Sequence, residues 1–306
     1  MNATIRYSAL TLAVALTLFL SGCKPQQITE DMPDTVTLEL LDLNLERNPD
    51  DPRLLAARAR VLFNLQRLNE ASYDIERAVK ADPENLDNLL LQSDIQFAKG
   101  NLEACYRTLE TAERLFPRNQ EVLLKMGEIT FYSRDYDRSL KYLSEVTAKN
   151  PNNRTALFMK GFIYKEKGDT ANAVQLFRRV CDRFPDYAPA FEELGVLYAA
   201  HNENLALEYL NTALQLEPSN TNVMYAMALF YQDRNDMENA ETLYRQILDL
   251  NPSSADAWHN LGWIELTHYN DYQRAVEYFD KALEADPTHP EALANRALAI
   301  KAGSEK

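Results

Sequence analysis

The sequence predicts an all-α solenoid, and three observations carry that prediction. Prolines stand at 49, 83, 117, 151, 185, 218, 252 and 287, at successive spacings of 34, 34, 34, 34, 33, 34 and 35. A fixed period of this length marks a stack of small repeats, each packed on its neighbours. The stretch from Leu157 to Pro185 shows what one repeat holds. Leu157, Gly161, Phe162 and Tyr164 have helical spacing, Lys167-Gly168-Asp169 forms a turn, and Ala173, Leu176, Phe177 and Val180 form a second helix. Finally, Gly is sparse at 8 residues while 46% of the chain is hydrophobic, which suits helices and not a sheet of tight hairpins.

Taken in order, residues 1–22 hold one charge, Arg6, and an apolar run from Ala9 to Leu20. That run is shorter than the roughly 20 apolar residues a membrane span needs, and it has the flanks of a secretory signal. It ends in Leu20-Ser21-Gly22-Cys23, which resembles the lipobox of bacterial lipoproteins. The resemblance implies cleavage before Cys23, acylation of that Cys and, with Lys24 and no Asp after it, the outer membrane as the address. Two acyl chains already make a stable anchor. Residues 23–35 read as a lipidated tether because Lys24–Pro33 is polar and without period.

The array follows over residues 36–301. Val36–Asn48 has helical spacing and serves as an amino-terminal cap, and Pro290–Lys301 as a carboxy-terminal one. Between them lie seven units: 52–85, 86–119, 120–153, 154–187, 188–220, 221–254 and 255–289, with a tail at 302–306. Position 4 reads Leu55, Leu89, Leu123, Leu157, Phe191, Met224, Trp258, and position 8 Ala59, Ser93, Gly127, Gly161, Gly195, Ala228, Gly262. Position 20 reads Ala71, Cys105, Ser139, Ala173, Ala206, Ala240, Ala275, and position 24 Ile75, Leu109, Leu143, Phe177, Leu210, Tyr244, Phe279. Small residues let paired helices approach and bulky ones fill the space beside them. Pro at position 32 stops the second helix. The pattern resembles the tetratricopeptide repeat, with weaker fits at Gln96, Thr130 and Glu265 (position 11). The resemblance implies a right-handed superhelix of fifteen or sixteen helices. Gly100-Asn101, Arg134-Asp135, Gly168-Asp169 and Asn235-Asp236 supply the turns. A deletion near His201-Asn202 and an insertion near His268-Asn270 are expected to fall in such turns.

Charge and motifs narrow the function. The net charge is −14, or near −15 without residues 1–22, which repels phosphate backbones and excludes nucleic acid as a partner. Cys105 and Cys181 fall on second helices where the repeat wants small or apolar residues, as buried free thiols. No HExxH, GxxxxGK[ST], GxSxG, GxGxxG or CxxC occurs, and the four His have no metal-ligand spacing. With the array occupying 36–301, no catalytic domain, cofactor or metal is expected.

Binding is what the resemblance implies, along a concave groove lined by positions 2, 5, 9 and 12 of each first helix. Those positions offer Asp94 and Phe97, then Glu128 and Phe131, then Phe158 and Phe162, then Tyr225, and last His259 and Trp263. Position 12 is commonly aromatic for packing, so Phe63, Phe97 and Phe131 serve either the core or a ligand; Asp94 and Glu128 are either a solvated face or contacts for a basic partner. Position 5 carries Ala56, Leu90 and Leu124 where the carboxylate clamp of chaperone-tail binders has Lys, so an acidic C-terminus does not fit. The expected partner is an extended or helical protein segment with apolar and some basic residues. The expected role is a membrane-anchored adaptor of the bacterial envelope, facing the periplasm. Two alternatives stand beside it: a glycan- or small-ligand-binding lipoprotein, resting on Trp258, His259, Trp263, Tyr269 and Tyr272, and a self-associating scaffold.

Overall fold

The computed structural model describes residues 34–201 and 204–305. The signal, Cys23, the tether up to Pro33 and the deletion at Asn202 lie outside the described residues. Sixteen helices, and no strand, occur among the described residues. The chain divides into two compact units, Met1–Ile129 and Thr130–Lys306.

The first unit holds α1 (Asp34–Arg47), α2 (Pro52–Asn64), α3 (Leu68–Ala81), α4 (Leu86–Ala98), α5 (Leu102–Leu115) and most of α6 (Gln120–Tyr132). The second holds α7 (Tyr136–Lys149), α8 (Arg154–Glu166), α9 (Thr170–Arg183), α10 (Ala188–Ala200), α11 (Leu205–Leu216), α12 (Thr221–Asp233), α13 (Met237–Leu250), α14 (Ala255–Ile264), α15 (Tyr272–Ala285) and α16 (Pro290–Ser304). Every even-numbered helix starts three residues beyond one of the eight prolines, because each proline ends one helix and a short capped turn starts the next. Both terminal helices exceed their expected spans: α1 starts at Asp34 and takes in the last two residues of the expected tether, and α16 runs through most of the expected tail.

The turns divide labour between two residues. Gly100, Arg134, Gly168 and Asn235 take the left-handed backbone, with φ of 74°, 58°, 75° and 60°. The residue after each is the helix cap: Asn101, Asp135, Asp169 and Asp236 accept from the backbone N–H groups of Ala104, Arg138, Asn172 and Asn239. This satisfies a donor the helix itself cannot.

In the fourth, fifth and seventh repeats, position 8 meets position 24. A Cβ on Gly161 would stand 2.8 Å from the Phe177 ring, one on Gly262 2.8 Å from Phe279, and one on Gly195 2.6 Å from Leu210. Phe177, Phe279 and Leu210 are fully buried, as are Ala59 and Ile75, the corresponding pair of the first repeat. In these three repeats the bulky residue thus fills the space left by a facing residue with no side chain. The expected weak fits are polar but satisfied in part: Gln96 accepts from the Thr108 hydroxyl at 2.8 Å, and Glu265 pairs with Arg274 at 3.0 Å.

One expectation is corrected. The extra residue of the seventh repeat does not sit in the turn alone. The end of its first helix widens into a π turn, Glu265–Tyr269, closed by Asn270 at φ 56°. A helix absorbs one inserted residue by a single wider turn, and the following cap, Asp271, is left in place.

Candidate functional site

The first-helix faces are described separately for the two compact units. In the first, Phe97 is 38% exposed. The buried Lys125, from the next repeat, forms an ion pair with Asp94. Glu128 is half-buried, and burial lifts its carboxyl above the usual range while the nearby Lys125 opposes the lift.

In the second unit, half-buried rings line the same face. Phe131 meets Phe162 edge to face at 5.6 Å, and Phe158 meets Tyr187 at 5.3 Å and Phe177 at 5.5 Å. Lys165 lies 5.0 Å from the centre of the Phe162 ring and pairs with Glu193 at 2.6 Å. Arg154 stacks 4.7 Å over Tyr187. Each of Phe158, Phe162, Tyr225 and Trp263 has part of its ring on the core and part in solvent. A ring so placed needs no rearrangement to receive an apolar side chain.

At the carboxy-terminal end a polar ladder joins α12, α14 and α16. Asn260 donates to the Tyr225 hydroxyl at 3.0 Å, His259 Nε2 meets Asn295 Nδ2 at 3.0 Å, and His289 Nε2 meets Asp256 at 3.2 Å. His289 Nδ1 accepts from Ala292 N and caps α16. The two imidazoles lie 5.0 Å apart. Burial, then His289, lowers the His259 pKa, and burial raises that of Tyr225. Asn260, His289 and Asn295 escaped the sequence reading. Their signal is a separation of 33 to 36 residues, one repeat, between polar residues on first helices.

The five residues that suggested a glycan site go to different neighbours. Trp258 stacks on Tyr278 and lies under Lys281, His259 faces His289, and Trp263 packs on the core. Tyr269 reaches Glu241, and Tyr272 lies against Gly303. Among the described residues no group of three His, Cys, Asp or Glu side chains is placed to hold a metal, and no helix is long and apolar enough to cross a membrane.

Two family models described as the tetratricopeptide repeat match residues 52–85, 124–188 and 225–290, more than half of the chain. The chain belongs to the tetratricopeptide repeat family. Such repeats are in general modules that bind protein partners, peptides among them, and typically lack enzymatic activity of their own. The chain is 31% identical over 111 residues to Superkiller protein 3 of Schizosaccharomyces pombe, covering 34% of this chain and 8% of that protein. It is 28% identical over 127 residues to the protein O-mannosyl-transferase TMTC1 of Homo sapiens, covering 39% and 14%. The tetratricopeptide chain thus spans a small part of the length of either relative. A tetratricopeptide repeat protein from Parabacteroides merdae superposes with a TM-score of 0.61 at 17% identity, over 81% of this chain and 98% of that one. The Cut9–Hcn1 hetero-tetramer gives 0.62 at 14% identity, over 87% and 52%. At these identities the likeness is one of fold.

Proposed function

We propose that this tetratricopeptide chain is a lipid-anchored adaptor of a bacterial envelope, held at Cys23 at the outer membrane and facing the periplasm. It lays a segment of a partner protein along its first-helix faces. The observation that carries the adaptor reading is the set of half-buried rings Phe131, Phe158, Phe162, Tyr225 and Trp263, each with an edge left in solvent. Such rings dominate the energetics of recognition where they are rigid and pre-placed. These rings favour a segment with apolar side chains, and in the other unit Phe97 and the half-buried Glu128 offer an apolar and an acidic contact of their own. The anchor and bacterial readings rest on Leu20-Ser21-Gly22-Cys23.

A crosslinked pull-down from native membranes, read by mass spectrometry, tests this. Wild type is compared with Phe158→Ala/Phe162→Ala and with Tyr225→Ala/Trp263→Ala, each checked for an unchanged melting transition. The expected outcome is one protein captured by wild type and lost in at least one folded variant. The same proteins captured by all three chains would remove the first-helix faces from consideration. Cys23→Ser is expected to release the chain from membranes; a variant that stays membrane-bound would sink the lipid anchor.

A further inference from the structure

Charge along the second compact unit is split. Residues 130–187 carry 11 Lys and Arg against 7 Asp and Glu, a net +4, whereas residues 188–306 carry 7 against 19, a net −12. Some of the positive charge is held by neighbours within the chain: Lys160 by Ser144, Lys165 by Glu193 and Lys167 by Asp137. The outer stripe of α9 is different. Arg178, Arg179, Asp182 and Arg183 stand exposed on it, while Phe177, Val180 and Cys181 face the core. Arg179 donates to the carbonyl of Pro151 at 2.7 Å. Arg178 and Arg183 meet no carboxylate within ion-pair distance among the described residues. Packing does not require arginine at such positions, and an acidic protein gains no solubility from them.

The opposite situation holds on α13 and α15. Glu238, Asp249 and Glu284 are exposed and likewise without an ion pair among the described residues. We propose that the arginine stripe of α9 docks against the carboxylates of α13 and α15 on a second copy of this chain. Each copy carries both faces, so a two-fold pair makes the contact twice. Overall repulsion between two acidic chains does not forbid it: at physiological ionic strength charges more than about 8 Å apart are largely screened, so the juxtaposed groups decide. This contact is independent of the aromatic first-helix faces, which remain free for a partner.

Sedimentation of the full chain in detergent, at low and high salt, provides the test. The expected result is a dimer at low salt whose apparent Kd weakens at least about tenfold as salt shortens the screening length from roughly 10 Å to 3 Å. Arg178→Glu/Arg183→Glu is expected to be monomeric throughout, with Arg178→Gln/Arg183→Gln as the milder form should the reversal fail to fold. Mixing the reversed chain with Glu238→Lys/Asp249→Lys/Glu284→Lys should restore a dimer that neither forms alone. A chain that is monomeric at every salt, or a dimer indifferent to both sets of variants, overturns the proposal. So does a monomer that instead binds phosphatidylglycerol vesicles through Arg178 and Arg183, since that assigns the stripe to a lipid surface.

Discussion

The repeat closes its two helices by different physics in the first unit of the array and in the fourth. In the first repeat, Ala59 packs on Ile75, and Arg58 then clips the seam. Its guanidinium grips Asp74 through two hydrogen bonds of 2.6 and 2.8 Å and reaches Asp42 of α1 at 2.7 Å. Asp74 is 1% exposed, so the clip is a buried charge pair, and these bonds hold the Arg58 pKa above its ordinary value. In the fourth repeat no charge is used: Gly161 makes room for the whole Phe177 ring. The clip is specific but fails badly if halved, while the steric fit fails by overfilling. The seventh repeat has both, with Phe279 over Gly262 and Glu265 paired with Arg274.

The largest effect should come from halving the clip. Asp74→Ala leaves Arg58 with only the exposed Asp42 as partner and is expected to destabilise the first unit by about 3 kcal/mol, the low end for a halved buried pair, whereas Arg58→Met/Asp74→Leu together should cost less. Denaturant melts of the two variants decide it; equal losses would show that the clip does not act as a buried pair. Gly161→Leu comes next, at about 1–3 kcal/mol or more, because the new side chain must displace Phe177. A melting temperature unchanged from wild type would mean that the fit is looser than the 2.8 Å approach indicates. Gly195→Ala should cost more than Gly161→Ala, since the backbone nitrogen of Leu210, 3.0 Å from the added Cβ, yields less easily than a ring.

The buried acid of the seventh repeat gives a pH test. Burial raises the Glu265 pKa above 4.5, against the pull of Arg274, and its Oε2 has no hydrogen-bond partner. The folded state therefore holds that proton more tightly than the unfolded chain does. The native preference is full below the unfolded value and is lost as pH rises through the folded one. Relative to wild type, Glu265→Gln should gain stability as pH is raised from about 4.5 to neutral; a difference that is flat with pH would show that Arg274 compensates the charge. The smallest effects belong to the turns. Asp169→Ala removes a cap and should cost about 1 kcal/mol, while Arg134→Gly relieves a left-handed arginine and should be neutral or gain up to about 1 kcal/mol.

The proline beat and the small and bulky positions made the helices legible, since each reflects a requirement repeated in every unit. What escaped was whatever crosses from one repeat to the next. Nothing local marks Asp94 as the partner of Lys125, 31 residues on, or His289 as that of Asp256. Left-handed turns were legible at Gly100 and Gly168, where glycine supplies positive φ, and hidden at Gln66, where an ordinary residue is forced into it. The aromatic faces were legible as positions, but the share of each ring left to solvent depends on the neighbouring repeat.

The two buried thiols have a practical use. Cys105 lies in one compact unit and Cys181 in the other, 3% and 6% exposed, and burial pushes both pKa values up to about 12. Neither can be alkylated until its surroundings open, so each acts as a clock for one half of the molecule. Labelling rates at the two positions, read in a single experiment by mass, would report which half breathes first and whether a bound partner stills one half or both.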